Sequence, residues 1–417
     1  TGYVQYTLAP GVVLDANDGA ESNINVDASW VMLDGIIAKG GSRHGFVLGD
    51  VTDIVIQNCD ISGWGKIETD LEGFGANLNS AVYSKSDKLA RVIIQKNKMH
   101  HPRSNSNSWE EEHTKDGKKG GPTTKHPLGP QCITFRGSRG QLIIRENEFF
   151  SDPKHKFNDV MGEVKNFSYN GFPCRDTDIY NNKVANAYDD GLELEGANLN
   201  VRAWNNHIDD VYGAFGLATT SMGPIYVFRN VMHSSRKGPP EMNTFQGNRG
   251  AYFVKLGTEK KEWTYGSIFI FHNTLLQPKA PEGMSDFKTI GAMAGIVKTG
   301  PDKEQTNIMS RNNIIYLRGS DGKWNTYNDP HKEPNNDFDY DLINGKVTAK
   351  EGTNSHGLTG TPTFDPAKEG TGALAEGSLG IDAGQVLPNF SDGFQGAAPD
   401  MGAVESPYKK ADQAAAQ

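Results

Sequence analysis

Apolar and polar residues alternate along this chain in short runs, and run after run closes on asparagine. The pattern recurs eight times, at 53–58 (DIVIQN), 91–97 (RVIIQKN), 141–147 (QLIIREN), 176–182 (DTDIYNN), 201–206 (VRAWNN), 225–230 (IYVFRN), 267–273 (SIFIFHN) and 307–313 (NIMSRNN). A period of two marks a half-buried strand, and each run leads into another short apolar stretch, such as 59–61 or 207–208. The tightest interval is 24 residues, from Asn182 to Asn206 and again from Asn206 to Asn230. A further strand precedes most runs: HGFVLG (44–49), SAVYSK (80–85), QCITFRG (131–137), GLELEG (191–196), GAFGLAT (213–219), AYFVKLG (251–257) and AGIVKTG (294–300).

Two or three short strands per coil, polar corners and no intervening amphipathic helix predict an all-β chain folded as a right-handed parallel β-helix. In such a solenoid, equivalent asparagines stack from coil to coil and satisfy the backbone at the turns, so the asparagine ladder reads as structural. A β-propeller would need four antiparallel strands per repeat and hairpin turns of NG or DG type, which the chain mostly lacks. The segments 62–79, 101–130, 150–175 and 232–250 are long, polar and rich in Gly, Pro, Ser and Asn. Each follows the same strand of its coil, so they are expected on one side of the solenoid, where long loops on a rigid scaffold build a cleft. The lysine-rich stretch 115–125 reads as a solvated loop. The repeat dissolves after residue 318, which gives a β-helix over 1–318 and an irregular C-terminal capping tail over 319–417 packed on the last coils.

Composition narrows the partners. The 417 residues carry 51 Asp+Glu against 42 Lys+Arg, a net charge of −9, and a pI near 5.7. That balance argues against nucleic acid or an anionic membrane, which reward a basic surface. No run approaches the roughly 18 apolar residues of a membrane span. Cys59, Cys132 and Cys174 lie far apart and are odd in number, so they read as buried apolar residues and not as a disulfide or zinc framework. The chain begins at Thr1 without Met, which fits a processed or trimmed chain, and a secreted or periplasmic location is an expectation that rests on function. No GxGxxG, P-loop or HExxH pattern is present, and His155, His207 and His233 lack metal spacing.

The densest acid cluster is Asp189-Asp190-Gly191-Leu192-Glu193-Leu194-Glu195-Gly196. With Leu192 and Leu194 turned inward, alternation turns Asp190, Glu193 and Glu195 toward solvent on one face. Crowded carboxylates raise one another's pKa and call for a proton, a cation or basic neighbours. One coil earlier lie Asn158, Asp159 and Glu163, and further back Arg136; one coil later lies 213–219, and two coils later Lys255. Coils about 4.8 Å apart put Lys255 roughly 10 Å from the acid strand. Acids flanked by cations along a groove suit a sugar-cleaving site on a polysaccharide or oligosaccharide. Trp64, Trp109, Tyr169, Phe172, Tyr188, Tyr212 and Tyr252 lie near the loops, with Tyr188, Tyr212 and Tyr252 the candidates to stack on sugar alongside Arg136, Glu163 and Glu195.

The succession Asn158-Asp159, Asp189-Asp190, 213–216 and Lys255, one motif per coil, resembles the polygalacturonase-like β-helix glycoside hydrolases. That resemblance implies Asp190 as general acid, Asp159 and Asp189 activating water and Lys255 gripping substrate, with no cofactor, and hydrolysis is the preferred reading. Asp189-Asp190-Gly191-Leu192-Glu193 and 253–257 (FVKLG) also resemble the calcium motif and the base-bearing strand of family 9 pectate lyases. This second resemblance implies calcium on Asp189, Asp190 and Glu193, and elimination on a uronate with Lys255 as base. A non-catalytic glycan-binding solenoid is the third reading, and it leaves the acid strand unexplained.

Overall fold

The structure is a computed structural model that describes residues 2–67, 74–114, 120–162, 172–218, 222–257, 266–278, 282–283, 290–298, 306–318 and 323–410. It is a right-handed parallel β-helix. Successive coils each add a strand to three parallel sheets of 11, 12 and 11 strands. The first sheet runs from Val4–Tyr6 to Asp337–Phe338, the second from Leu14–Asp15 to Leu358–Thr359, and the third from Ser22–Val26 to Lys346–Thr348. Register stacks like on like. Leu33, Ile56, Ile94, Ile144, Ile179, Ala203, Val227 and Ile270 pair in order along the first sheet and are all buried in one continuous core. The described helices are one turn at Phe245–Asn248 and a short 3-10 turn at Pro366–Lys368.

Between the first and second sheets, nine successive coils turn on one residue with φ between +51° and +59°: Asn58, Lys96, Glu146, Asn181, Asn205, Arg229, His272, Asn312 and Tyr340. A left-handed non-glycine residue costs about 1–2 kcal/mol, and the next residue supplies the compensation. Asn206 is typical. Its Oδ1 accepts from the backbone N–H of Asn182 (3.1 Å) and from Asn182 Nδ2 (2.9 Å), while its own Nδ2 donates to the Ile179 carbonyl (3.0 Å) and Asn230 Oδ1 (2.9 Å). Two rungs of this ladder depart from asparagine. Asn58 is a corner residue, and Cys59 takes the first rung, donating its N–H to Asn97 Oδ1 at 2.9 Å.

The second is Asp341, whose own backbone N–H donates to the next rung, Asn354 Oδ1, at 3.0 Å. Its Oδ1 accepts from the Asn313 backbone N–H (2.7 Å) and Nδ2 (2.9 Å), and its Oδ2 accepts from Ser310 Oγ (2.5 Å) and the Tyr327 hydroxyl. An acid fills this rung as well as an amide, and the coils run on past 318, where the sequence repeat fades, to Thr359. Burial pushes the Asp341 carboxyl up to about 6, against its four donors. A carboxyl whose folded pKa lies above its unfolded value supports the fold below the unfolded value and loses that support as pH rises through the folded one. Two units correspond to about 3 kcal/mol. The stability difference between Asp341→Asn and wild type is therefore expected to move by about that much in the variant's favour from pH 4 to pH 7. Urea melts at both pH values test this, and a pH-independent difference refutes it.

Residues 360–410 pack on the outside of the later coils. Arg229 donates to the carbonyls of Phe390 (2.9 Å) and Ala403 (3.3 Å), His207 Nε2 meets the Gly370 carbonyl at 3.0 Å, and Thr274 Oγ1 accepts the Ala403 N–H at 2.8 Å. Phe390 packs on Tyr226, Phe228 and Phe271. This leaves the third sheet uncovered by the tail. No described helix is long and apolar enough to cross a membrane.

Candidate active site

Three of the long segments, 62–79, 101–130 and 232–250, join the second sheet to the third, and the fourth, 150–175, carries the third-sheet strand Met161–Gly162, so the cleft they frame lies on the third sheet. Its central strand is Asp190–Glu193. Register sets Met161, Leu192, Phe215 and Val254 side by side on successive coils, all inward in the core. The residue after each falls on the cleft side: Gly162, Glu193, Gly216 and Lys255. Two positions before Leu192 and Phe215, Asp190 pairs with Gly213.

Glycines decide the geometry. A β-carbon at Gly216 would lie 2.5 Å from Asp190 Oδ2 and 3.0 Å from Glu195 Oε1, and one at Gly162 would lie 2.5 Å from Glu193 Oε2. The acid side chains fill the space that these glycines leave. Lys255, expected roughly two coil spacings away, instead reaches across Gly216 and sets its Nζ 2.9 Å from both Asp190 Oδ2 and Glu195 Oε1. Counting coils gives the backbone separation and ignores a long side chain crossing a residue that has none.

The acids are also more enclosed than strand alternation suggests. Asp190, Glu193 and Glu195 are 1%, 9% and 2% exposed, and Asp159 and Asp189 are buried as well. Asp159 Oδ1 accepts the Asp190 backbone N–H at 3.0 Å, and its Oδ2 accepts from Gln131 Nε2 at 3.1 Å. The Tyr252 hydroxyl donates to Asp190 Oδ1 at 2.9 Å, and the Tyr252 ring lies 5.8 Å from Lys255 Nζ. Glu195 leaves the strand at a turn: Gly196 takes φ +122°, and the buried Asn198 donates its Nδ2 to the Leu194 carbonyl at 2.9 Å.

The loop before the strand Gln131–Phe135, one of the segments expected to build the cleft, brings in a residue that the sequence reading did not single out, His126. Asn107 closes its base, accepting the Leu128 N–H on Oδ1 at 2.8 Å. Two short antiparallel strands, His113–Thr114 and Thr123–Thr124, carry the chain out and back. The return brings His126 Nε2 to 3.6 Å from Asp189 Oδ2. Trp109 packs on His126 and on Tyr212, with ring centroids 4.8 Å and 5.5 Å apart, and Tyr212 meets Tyr252 at 6.2 Å. The end of a stretch read as a solvated loop thus touches the acid cluster, a long-range contact with no local signal in the sequence.

The other candidates separate. Tyr188 turns away from the cleft. It is fully buried, and its ring lies 4.6 Å from the ammonium of Lys156, which is paired with Asp210 at 2.7 Å. Arg136 is exposed and enters none of the described contacts of the acid cluster. Trp64 and Phe172 are core residues. Glu163 and Tyr169 lie outside the described residues.

Burial and the neighbouring Asp189 and Asp190 hold the Asp159 carboxyl well above the ordinary range. Burial and Asp190 do the same to Asp189, and burial with Asp159 and Glu195 to Glu193. Burial by itself would lower Lys255, but Asp190 and Glu195 overcome it and hold the ammonium well above its ordinary value. Five carboxylates therefore face one ammonium. The surplus charge, the all-oxygen donors and their spacing suit a hard cation such as calcium. Within each of the sets Asp159, Asp189, Asp190 and Asp190, Glu193, Glu195, one carboxylate oxygen per residue lies within 4.8 Å of the others.

No protein-family model matches the chain, and no curated protein matches it. Among solved structures, one described as the crystal structure of pectate lyase Pel9A aligns over 97% of this chain and 86% of that one, with 12% sequence identity and a TM-score of 0.40.

Proposed function

We propose that this protein is a secreted polysaccharide lyase that cleaves a uronate-containing chain by β-elimination, with calcium as cofactor and Lys255 as base. The observation that carries the reading is the Lys255 ammonium seated against Asp190 and Glu195 in an acid-lined cleft. Asp159, Asp189 and Asp190 are the residues that would hold the ion. A bound calcium ion would withdraw charge from the substrate carboxylate, acidify the proton beside it and weaken the carboxylates' hold on the lysine proton. Neutral Lys255 takes the proton from C5, its electrons form the C4–C5 double bond, and the bond from C4 to the glycosidic oxygen breaks. The departing oxygen takes a proton from water. Asp190, Glu195 and Tyr252 keep Nζ in place, and the enclosed floor limits water around it.

Hydrolysis retains one point of support, the raised carboxyls of Asp159 and Asp189, which would suit a general acid. Elimination accounts for more of the site, because it uses the lysine, the surplus acids and their spacing together. A panel of acidic and neutral polysaccharides separates the two readings. Elimination yields new reducing ends together with ultraviolet absorbance from the unsaturated uronate; hydrolysis yields reducing ends alone. Chelation is expected to abolish the lyase activity, and added calcium to restore it. Turnover that survives chelation with no absorbance would exclude the lyase assignment.

A further inference from the structure

The two acid sets share Asp190, and they differ in what they already hold. The set Asp190, Glu193, Glu195 contains a cation that belongs to the chain, since Lys255 Nζ touches Asp190 and Glu195 at 2.9 Å each. Asp190 is 1% exposed, and among the described residues its Oδ2 has no hydrogen bond beyond this ion pair. That oxygen points into the gap above Gly216, where a β-carbon would lie only 2.5 Å from it. Among the described residues the set Asp159, Asp189, Asp190 has no such occupant: the Asp159 oxygens accept from the Asp190 backbone and Gln131, and Asp189 meets the edge of His126.

We infer that the cleft contains a second cation position, formed by Asp190, Glu193 and Glu195, which the Lys255 ammonium occupies and so closes to metal. The inference rests on the cation-bearing reading of the neighbouring set, but it concerns how many ions the chain binds and not what the chain cleaves. Lysine is suited to this role because its ammonium is a compact charge at the end of a flexible stem, close in function to a bound monovalent ion. Two cations sharing a carboxylate is a geometry that oxygen ligands support at separations of roughly 3.5–4 Å. The fixed lysine thus keeps the site mononuclear and leaves one coordinating direction of Asp190 committed to the chain itself.

Equilibrium dialysis of the full chain against calcium chloride tests this by counting bound ions. Lys255→Met is expected to bind one more calcium per chain than wild type. Lys255→Arg, which keeps a fixed cation, should bind the wild-type number. The double variant Lys255→Met with Glu195→Gln removes one charge of each sign, so it should stay folded without added calcium and should also return to the wild-type number. An unchanged count in Lys255→Met, or an extra ion retained in the double variant, would overturn the proposal. Elimination activity does not enter this measurement, so the count can fail while the lyase reading stands, and the reverse.

Discussion

Lys255→Ala is expected to lower turnover by about three orders of magnitude, with substrate affinity changed far less, because a positioned base contributes roughly 10²–10⁴ to rate. The variant also leaves Asp190 and Glu195 buried without their counter-ion, and breaking a buried pair typically costs about 3–5 kcal/mol. A lower melting temperature is therefore expected too, and would by itself mimic a catalytic loss. Lys255→Arg separates the two effects. Arginine restores the charge and the fold, yet its guanidinium stays protonated and cannot accept a proton. An arginine variant that melts like wild type but stays as inactive as the alanine variant assigns Lys255 the role of base. One that regains most of the activity would show that the side chain only holds charge or grips substrate, as the hydrolase reading requires.

The solenoid was legible because its logic is local. Each first-sheet strand carries alternating residues, then a corner, then a rung, and the asparagine rungs recur in the sequence as they do in space. The exceptions were missed for chemical reasons. Cys59 makes its rung contact with a backbone N–H that any residue has, and Asp341 does the work of an asparagine with acceptors alone. The acid strand was visible as a cluster, and the neighbours on adjacent coils followed from register. Depth was not visible. Strand alternation says which face a carboxylate takes, but the enclosure of the acids depends on Gln131 at Asp159, His126 at Asp189, and Tyr252 and Lys255 at Asp190, all distant in sequence. Tyr188 failed in the opposite direction: its place beside the acids in the chain suggested the cleft, yet its ring belongs with Lys156 behind it. The contact most informative about chemistry, Lys255 with Asp190 and Glu195, depends on the absence of a side chain at Gly216, and an absence carries little weight in a motif.

That absence makes the sharpest test of the cleft. Gly216 has no left-handed backbone requirement, so alanine is tolerated by the strand itself, and its effect must come from the methyl group. The methyl would stand 2.5 Å from Asp190 Oδ2 and 3.0 Å from Glu195 Oε1, in the path that Lys255 crosses. Asp190 cannot simply swing aside, since its other oxygen accepts from the Tyr252 hydroxyl at 2.9 Å. The ammonium and at least one carboxylate must therefore separate. A displacement of about 1 Å at a reacting group can cost roughly a hundredfold in rate, so Gly216→Ala is expected to lower turnover by about that factor or more while the chain remains folded. Gly162→Ala makes an intrusion of the same size on Glu193 Oε2, at 2.5 Å, and lies on the opposite side of the acid strand from Lys255. Its expected effect falls on the metal through Asp159, which Glu193 crowds: calcium affinity falls, so the requirement is met only at higher concentration, with turnover largely recovered at saturation. The pair is read by calcium titrations of activity. If excess calcium rescues Gly216→Ala as fully as Gly162→Ala, the lysine contact does not govern the chemistry and the division of this cleft into a metal side and a base side is wrong.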